Sequence, residues 1–451
     1  MTLQYGKSRL LVPALLAASI GLIGCGGGGD GGGGGGNAPA TGITVVPERF
    51  DFGVITEGNL DQVLPRKFII RNEGTTSSNI GYIMLDQFEA DQFSLLDHLG
   101  DNNACAPTPF SLAPGESCTV EVEFNPDEIG EFKTALFVQN DAPNVATVGG
   151  TLARVEGTYA EVDEIHVTVN QVHACAVNGP QAFVSVTDQE RFPIRNLRKE
   201  NFILEGLDPI YVRQVGENDA YIPLSLSIAM DYSGSITDFP EVVDNMEAGA
   251  TLLVNEMKAN DNADIIKYAD DVEFMTTEFT SEKDILKAAI EASPGLDRDT
   301  AFYAATEEAI ERFGTEGGTN DRKAVIALTD GEDTFVDDTE AALGDAIDQA
   351  LGVDIPVFTI GFGPFIQESE LKRLADGTGG LFYQPASDAN LQQALLKVAL
   401  LLFEYQYVID FNLPVSYDRD SLDVTLTLED SEPRFKDVEL YSGTKAIPAC
   451  P

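Results

Sequence analysis

Hydrophobic and polar residues alternate with a period of two along the first long segment of the chain, residues 42–159. Phe50 and Phe52 flank one polar residue, and the apolar members of 120–124 alternate with glutamates. Clusters of Asn, Gly, Pro and Asp separate such runs. This pattern is typical of strands with one buried and one solvated face. We therefore expect an all-β, antiparallel sandwich over 42–159.

Two further segments, 160–222 and 405–451, have the same strand-like pattern. Ile165, Val167 and Val169 alternate with polar residues in the first segment, and apolar positions recur through 422–428 in the second. Together the two segments are long enough for one more sandwich. We therefore expect the residues between them to be inserted in, or flanked by, a second β-sandwich.

The central segment, 223–404, has a different pattern. Apolar runs such as 224–230 and 324–329 end at Asp, and segments with helical periodicity separate them. Continuous apolar strands alternating with helices predict a parallel sheet covered on both faces. The expected fold is α/β, doubly wound and Rossmann-like, and such sheets bind ligands at the carboxyl ends of their strands.

Five oxygen-bearing side chains fall at or beside these predicted elements. They are Asp231, Ser233, Ser235, Thr300 and Asp330. The first three belong to Asp-Tyr-Ser-Gly-Ser, which follows the apolar run 224–230, and Asp330 follows the run 324–329. Asp-x-Ser-x-Ser alone is a weak signal, but the joint pattern is much more specific. Together with Gly-Phe-Gly at 361–363 and Thr-Gly-Gly at 378–380, it resembles the von Willebrand factor A family.

The resemblance implies a metal-ion-dependent adhesion site, abbreviated MIDAS, at these five residues. In that family the strand-end loops hold Mg²⁺, which prefers octahedral oxygen ligands and keeps several waters. Mn²⁺ and Ca²⁺ are the alternative ions. Three hydroxyls and two carboxylates leave the ion incompletely neutralised, so the carboxylate of a partner can complete its shell. Asp238, just downstream, is expected to cap a helix N-terminus rather than bind a second cation.

The N-terminus has the composition of an export signal. Lys7 and Arg9 precede an apolar stretch, 10–23, that is too short to span a bilayer. Leu-Ile-Gly-Cys at 22–25 resembles a bacterial lipobox, which implies that residues 1–24 are removed and that Cys25 is lipid-modified. A free cysteine at the end of a membrane anchor is the alternative. Because the next residue is Gly rather than Asp, the resemblance implies an outer-membrane anchor, whose facing side stays open.

The predicted domain order is a signal peptide (1–24), a lipidated cysteine with a glycine-rich linker (25–41), an immunoglobulin-like domain (42–159), a β-rich flank (160–222), the A domain (223–404) and a second β-rich flank (405–451). The immunoglobulin-like prediction rests on Phe-Asp-Phe-Gly at 50–53, Leu-Ala-Pro-Gly-Glu-Ser-Cys at 112–118 and Phe-Asn-Pro at 124–126. These phrases resemble hydin-type, or choice-of-anchor D, domains. Such a domain implies a spacer or recognition role.

The cysteine count suits an exported, oxidising environment. Five cysteines less the lipidated one leave four, for which three pairings exist. We favour Cys105 with Cys118, inside one domain, and Cys175 with Cys450, which would join the two β-rich flanks. No zinc-binding spacing occurs among them.

Charge and motifs exclude several function classes. The chain has 28 basic and 74 acidic residues, a net charge of −46, which argues against nucleic acid as a partner. Its three histidines, His98, His166 and His173, all lie outside 223–404, and neither His-Glu-x-x-His nor Gly-x-Ser-x-Gly occurs. We therefore expect no enzymatic activity.

The sequence as a whole predicts a lipid-anchored protein of the bacterial envelope that binds a protein ligand through Mg²⁺. The ligand would present an exposed Asp or Glu side chain to the metal. The alternative is an envelope scaffold whose A domain binds partners without a metal bridge. Oligomeric state stays open.

Overall fold

The computed structural model describes residues 42–86, 90–96, 103–142, 150–176, 179–217, 221–296, 298–363, 365–414, 417, 419–428, 435 and 438–448. The predicted signal peptide, Cys25, the glycine-rich linker and Cys450 lie outside these residues. Within them, no helix combines the length and the apolar character needed to cross a membrane.

The first region consists of two sheets around one apolar core. Its strands are β1 (Ile43–Val46), β2 (Arg49–Thr56), β3 (Arg66–Asn72), β4 (Ser78–Leu85), β5 (Phe93–Leu96), β6 (Phe110–Leu112), β7 (Ser117–Phe124), β8 (Gly130–Asn140) and β9 (Gly150–Ala160). The sheet orders are β1-β3-β7-β5 and β2-β9-β8-β4-β6. Phe68, Phe124 and Leu136 are buried in the core that both sheets share. Cys105 and Cys118 form the predicted disulfide, which is confirmed.

Four strands follow before the central segment: β10 (Glu164–His173), β11 (Gln181–Asp188), β12 (Phe202–Leu204) and β13 (Pro209–Gln214). β10 and β11 pair in antiparallel register, with His166 opposite Thr187. Cys175, just beyond β10, is disulfide-bonded. Its predicted partner, Cys450, is outside the described residues.

The central segment forms a six-stranded sheet with helices on both faces. Its strands are β14 (Leu224–Asp231), β15 (Asn262–Tyr268), β16 (Val272–Phe274), β17 (Arg322–Thr329), β18 (Val357–Gly361) and β19 (Phe382–Tyr383). Its helices are α1 (Gly234–Thr237), α2 (Pro240–Glu256), α3 (Lys283–Glu291), α4 (Phe302–Glu311), α5 (Thr339–Gly352), α6 (Glu368–Thr378) and α7 (Leu391–Leu400). A π-helical turn, Leu401–Tyr405, extends α7.

The strand order of this sheet is β16-β15-β14-β17-β18-β19. From β14 the chain first adds strands on one side, β15 and β16, and then adds β17, β18 and β19 on the other side. β14 pairs in parallel with β15 on one side and with β17 on the other. All eight residues of β14 are buried, because both faces are covered. The loops that leave β14 and β17 therefore start side by side at one edge of the sheet, where doubly wound folds bind ligands.

After α7 the chain returns to the strands that precede β14. The last strands are β20 (Tyr407–Phe411), β21 (Ser421–Leu426), β22 (Glu439–Tyr441) and β23 (Gly443–Ala446). They complete two sheets of order β13-β20-β11-β10-β22 and β12-β21-β23. Strands from before and after the central segment thus share sheets, as in the pairing of Ala182 with Ile409.

Buried polar side chains join these flanking strands to the central sheet and to the first region, and we call Asn170, Asp188, Arg322 and Gln406 the joint. Asp188, in β11, accepts hydrogen bonds from Thr56 and Asn59 of the first region. Arg322 donates to the carbonyl oxygens of Ile222 and Leu402 and to Gln406 Oε1. Gln406 Nε2 donates to Asn170 Oδ1 over 2.9 Å, and Asn170 Nδ2 donates to the carbonyl oxygen of Gly379 over 2.7 Å. The joint therefore connects the start of β17, the end of α7 and β10.

Candidate metal centre

Asp231 is the last residue of β14 and is fully buried. Its Oδ1 accepts a hydrogen bond from the backbone N–H of Ser233 over 2.8 Å. Its Oδ2 accepts from the hydroxyl of Thr329, the last residue of β17, also over 2.8 Å. Two adjacent parallel strands thus fix the orientation of this carboxylate at the sheet edge.

The two serines connect Asp231 to Asp330. The hydroxyl oxygens of Ser233 and Ser235 are 3.1 Å apart. Ser235 donates to Asp330 Oδ1 over 2.7 Å. Ser233 is buried but Ser235 is exposed, so the group extends from the interior of the sheet edge to its surface.

Thr300 belongs to the loop that precedes α4 and is buried. Its backbone N–H donates to the Thr334 hydroxyl, and the N–H of Thr334 donates back to the Thr300 carbonyl oxygen over 3.0 Å. This pair of bonds joins the Thr300 loop to the loop that follows Asp330. Thr300, Ser235 and Gly331 line one surface hollow of about 610 Å³. The structure therefore brings all five predicted residues into one group, which we call the metal edge.

Burial disfavours the charged form of both carboxylates of the metal edge. Burial raises the pKa of Asp231 to about 7, the hydrogen bonds from Ser233 act in the opposite direction, and the charge of Asp330 raises it further. Burial also raises the pKa of Asp330, and its bond from Ser235 lowers it. Among the described residues, neither carboxylate forms a salt bridge with Lys, Arg or His. A bound cation would favour the ionised form of both acids.

The donor set fits a hard divalent cation. It offers only oxygen atoms, two carboxylates and three hydroxyls, and two of these residues, Ser235 and Thr300, line a hollow that solvent can enter. Mg²⁺ takes such ligands in octahedral geometry, commonly with one or two carboxylates and several waters. In the described part of the chain, no cluster of three or more His, Cys, Asp or Glu residues has a metal-binding arrangement.

The metal edge is supported by Thr329 and Tyr268, which the sequence analysis did not single out, and by Asp333, whose place beside Asp330 suggested the rim of the site. Thr329 holds Asp231, as described above. The Tyr268 hydroxyl, at the end of β15, donates to the Leu328 carbonyl oxygen over 2.5 Å. Asp333 is buried and accepts from the backbone N–H of Tyr303 over 2.9 Å. Of the residues that were missed, only Thr329 could have been identified from the sequence, since it is a hydroxyl residue at the same strand end as Asp330.

The prediction that Asp238 caps a helix is wrong. Helix α2 begins at Pro240 with Phe239 in the N-cap position and no side-chain cap. Asp238 instead accepts from both terminal nitrogens of Arg298, at 2.9 and 2.5 Å. Asp238 lies one residue before the N-cap position of α2, and its partner Arg298 lines the same hollow as Thr300.

Comparison with known proteins identifies the central segment. Residues 226–397 match the family model described as von Willebrand factor type A domain. This match covers the metal edge and all of the six-stranded sheet except the first two residues of β14. No curated protein matches the chain.

Three solved structures that are similar to this chain share 13 to 20% of its residues over the matched part. Proximal thread matrix protein 1 from the mussel byssus, with a zinc-occupied MIDAS motif, is 20% identical over 40% of this chain and 48% of its own, with a TM-score of 0.35. A von Willebrand factor type A protein from Catenulispora acidiphila is 14% identical over 60% and 71%, with a TM-score of 0.37. The corresponding domain of a type V pilus tip protein from Porphyromonas gingivalis is 13% identical over 40% and 95%, with a TM-score of 0.33. The chain thus spans about half the length of the mussel protein.

Proposed function

Because residues 226–397 form a von Willebrand factor A domain, we propose that this chain binds a protein ligand through a divalent cation held at the metal edge. One observation carries the proposal. Asp231 and Asp330 are buried next to each other without a basic partner among the described residues, and the exposed Ser235 hydroxyl connects them to solvent. Such an arrangement is electrostatically costly unless a cation compensates it.

Asp231, Ser233, Ser235, Thr300 and Asp330 are the residues that would hold the ion, with Mg²⁺ favoured over Mn²⁺ and Ca²⁺. When bound, the cation supplies a positive centre that attracts the Asp or Glu side chain of a partner. Thr329 and the Ser233 N–H orient Asp231 for this role. Because Ser235 faces the hollow, a ligand carboxylate can approach from solvent without displacing the buried aspartate.

The remaining parts of the proposal concern the context of this site. We infer a lipoprotein of the bacterial outer membrane, attached through Cys25 and a glycine-rich tether, with an immunoglobulin-like domain ahead of the A domain. The shared sheets of β11 with β20 and β12 with β21 support a second sandwich into which the A domain is inserted. The proposed role is binding and not catalysis. In its support, His166 and His173 both lie on β10, outside the central sheet.

The experiment begins with the metal itself. Residues 41–451 are purified, and Mg²⁺ is titrated calorimetrically into the wild type, Asp231→Ala and the control Asp337→Ala. Asp337 is an exposed acid on the loop between β17 and α5, so the control removes a nearby charge but no predicted ligand. We expect the wild type and the control to bind Mg²⁺ and Asp231→Ala to lose binding while keeping its circular dichroism spectrum.

The same three proteins are then used to capture partners from envelope fractions in Mg²⁺ and in EDTA. A partner captured by wild type and control only in Mg²⁺ supports metal-bridged recognition. A partner captured equally under all conditions favours the scaffold function instead. Asp231→Ala that still binds Mg²⁺ with wild-type affinity contradicts the proposed site.

A further inference from the structure

The three most exposed large hydrophobic side chains among the described residues are all phenylalanines, and all lie on loops around the metal edge. Phe365 is 71% exposed, Phe335 58% and Phe239 55%. Elsewhere in the described chain the phenylalanines are mostly buried, and Phe274 is the one further exposed example, at 42%. We call Phe239, Phe335 and Phe365 the phenylalanine rim.

Each rim residue comes from a different loop that leaves the same edge of the sheet. Phe239 follows Asp238, whose carboxylate pairs with Arg298 at the hollow. Phe335 follows Thr334, whose hydroxyl accepts from the Thr300 backbone N–H and whose own N–H donates to the Thr300 carbonyl oxygen. Phe365 itself lines the hollow, next to Ile366 and across from Ser235.

Exposed aromatic side chains lower solubility when they have no partner, and clustered ones mark interaction surfaces. Aromatic residues, Phe included, are enriched in the buried cores of protein interfaces, where a few residues carry most of the binding free energy. Phe365 lines the hollow of about 610 Å³, which is large enough for more than one side chain. Phe335 follows Thr334, which also lines the hollow, and Phe239 follows Asp238, the partner of Arg298 there. The rim is therefore suited to the residues that flank a ligand carboxylate.

The charges at the hollow restrict what those flanking residues can be. Asp299 and Glu332 line it, and Arg298, the cation there, is already paired with Asp238. A second acidic side chain on the ligand would meet these carboxylates and be repelled. The net charge of −46 likewise disfavours an anionic bilayer as the occupant of the rim.

We propose that the partner is a protein segment with a single carboxylate side chain between large apolar side chains, the carboxylate reaching the metal and the apolar side chains covering Phe239, Phe335 and Phe365. This inference rests on the proposed metal-dependent binding and names the ligand class of that site. It predicts that apolar contacts, and not the metal contact alone, select the ligand.

The probe is an array of short synthetic peptides with a central Glu, in which the residues on either side are varied through all amino acids. A matched array carries Gln at the centre. Residues 41–451 are applied in Mg²⁺ and in EDTA as wild type, as the rim variant Phe239→Ser/Phe335→Ser/Phe365→Ser, and as the control Tyr211→Ser/Ile285→Ser/Val353→Ser. The control residues are each 53% exposed and lie in β13, in α3 and directly after α5, outside the three loops that carry the rim.

We expect Mg²⁺-dependent binding of Glu-centred peptides that is strongest when both neighbours are large and apolar. The rim variant should bind the best peptides about 100-fold more weakly, since each interface aromatic typically contributes severalfold or more. The control variant should bind as the wild type does. Unchanged Mg²⁺ affinity and circular dichroism of the rim variant show that its fold and metal site are intact.

Other outcomes overturn the inference in distinguishable ways. Mg²⁺-dependent binding without apolar preference, and unchanged in the rim variant, leaves the proposed function standing but refutes the ligand class. No Mg²⁺-dependent binding of any Glu-centred peptide overturns both. Rim-dependent binding to phosphatidylglycerol vesicles, or rim-dependent dimerisation in sedimentation, without peptide binding would assign the rim to a membrane or a second copy instead.

Discussion

The joint and the metal edge both bury charged side chains, but they satisfy them differently. At the joint, Arg322 donates to three acceptors, and Asp188 accepts from Thr56, Asn59 and two backbone N–H groups. At the metal edge, Asp231 accepts from two donors and lies beside a second acid. Burial with partners fixes geometry, whereas burial of two adjacent carboxylates favours the uptake of a proton or of a cation.

The largest expected effect tests whether the joint is structural. Arg322→Met should lower the free energy of unfolding by about 3–5 kcal/mol, because it leaves Gln406 and two buried carbonyl groups without their donor. Denaturant unfolding in EDTA measures it. Arg373→Met is the matched control, since that side chain is half exposed in a surface ion pair with Glu340 and should cost at most about 1 kcal/mol. If both variants lose the same free energy of unfolding, Arg322 contributes no more to stability than a surface arginine does.

The next effect is a pH dependence at the joint. Burial raises the pKa of Asp188 to about 6 in the folded protein, above its value in an unfolded chain. The folded state therefore holds this proton more tightly, so its contribution to stability is complete below about pH 4 and is lost as pH rises to about 6. The loss should be about 3 kcal/mol. The free energy of unfolding is measured in EDTA at pH 4 and at pH 7.5 for the wild type and for Asp188→Asn. It should fall more between these pH values in the wild type than in the variant. An equal fall in both proteins would show that Asp188 is not the titrating group.

At the metal edge, stability should depend on the ion. Mg²⁺ at about 100 times its dissociation constant should raise the free energy of unfolding of the wild type by about 2.7 kcal/mol, because it binds only the folded state. Asp231→Asn should show no such gain, and Asp337→Asn should keep it. Thermal unfolding with and without EDTA measures this difference. A gain that survives in Asp231→Asn would place the ion elsewhere.

The smallest expected effect separates the phenylalanine rim from the core. Phe365→Ala should change the free energy of unfolding by less than about 0.5 kcal/mol, because the side chain is 71% exposed. Phe362→Ala, three residues earlier, removes a side chain that is 1% exposed and should cost about 3–5 kcal/mol. Thermal unfolding in EDTA compares them. A large loss in Phe365→Ala would mean that the rim serves packing.

Local sequence patterns were sufficient for several features. The apolar run before Asp231 predicted a buried parallel strand, and β14 is buried along its whole length. The pairing of Cys105 with Cys118 was also predicted and is confirmed. Both predictions depend on neighbours close in sequence or on a strong periodicity, which a single chain records directly.

Other features depended on residues far apart in the chain. Asp238 was predicted to cap a helix, but Arg298, sixty residues later, holds its carboxylate. Thr329 was not singled out, although it holds Asp231 from the adjacent strand. The phenylalanine rim was also not predicted, because Phe in an apolar-rich chain is ordinarily a core residue and its exposure becomes visible only once the loops are placed.

The sequence by itself determined the alternation of buried strands and helices in the central segment and the hydroxyl and carboxylate residues at the strand ends, because periodicity and residue chemistry are local properties. Tertiary structure decided which of these residues meet. Parallel pairing of β14 with β17 brought Asp231 and Asp330 to one edge without a basic neighbour among the described residues. It also left three phenylalanines exposed on the loops that follow β14, β17 and β18, since exposure and charge pairing arise only from the packing of segments distant in sequence.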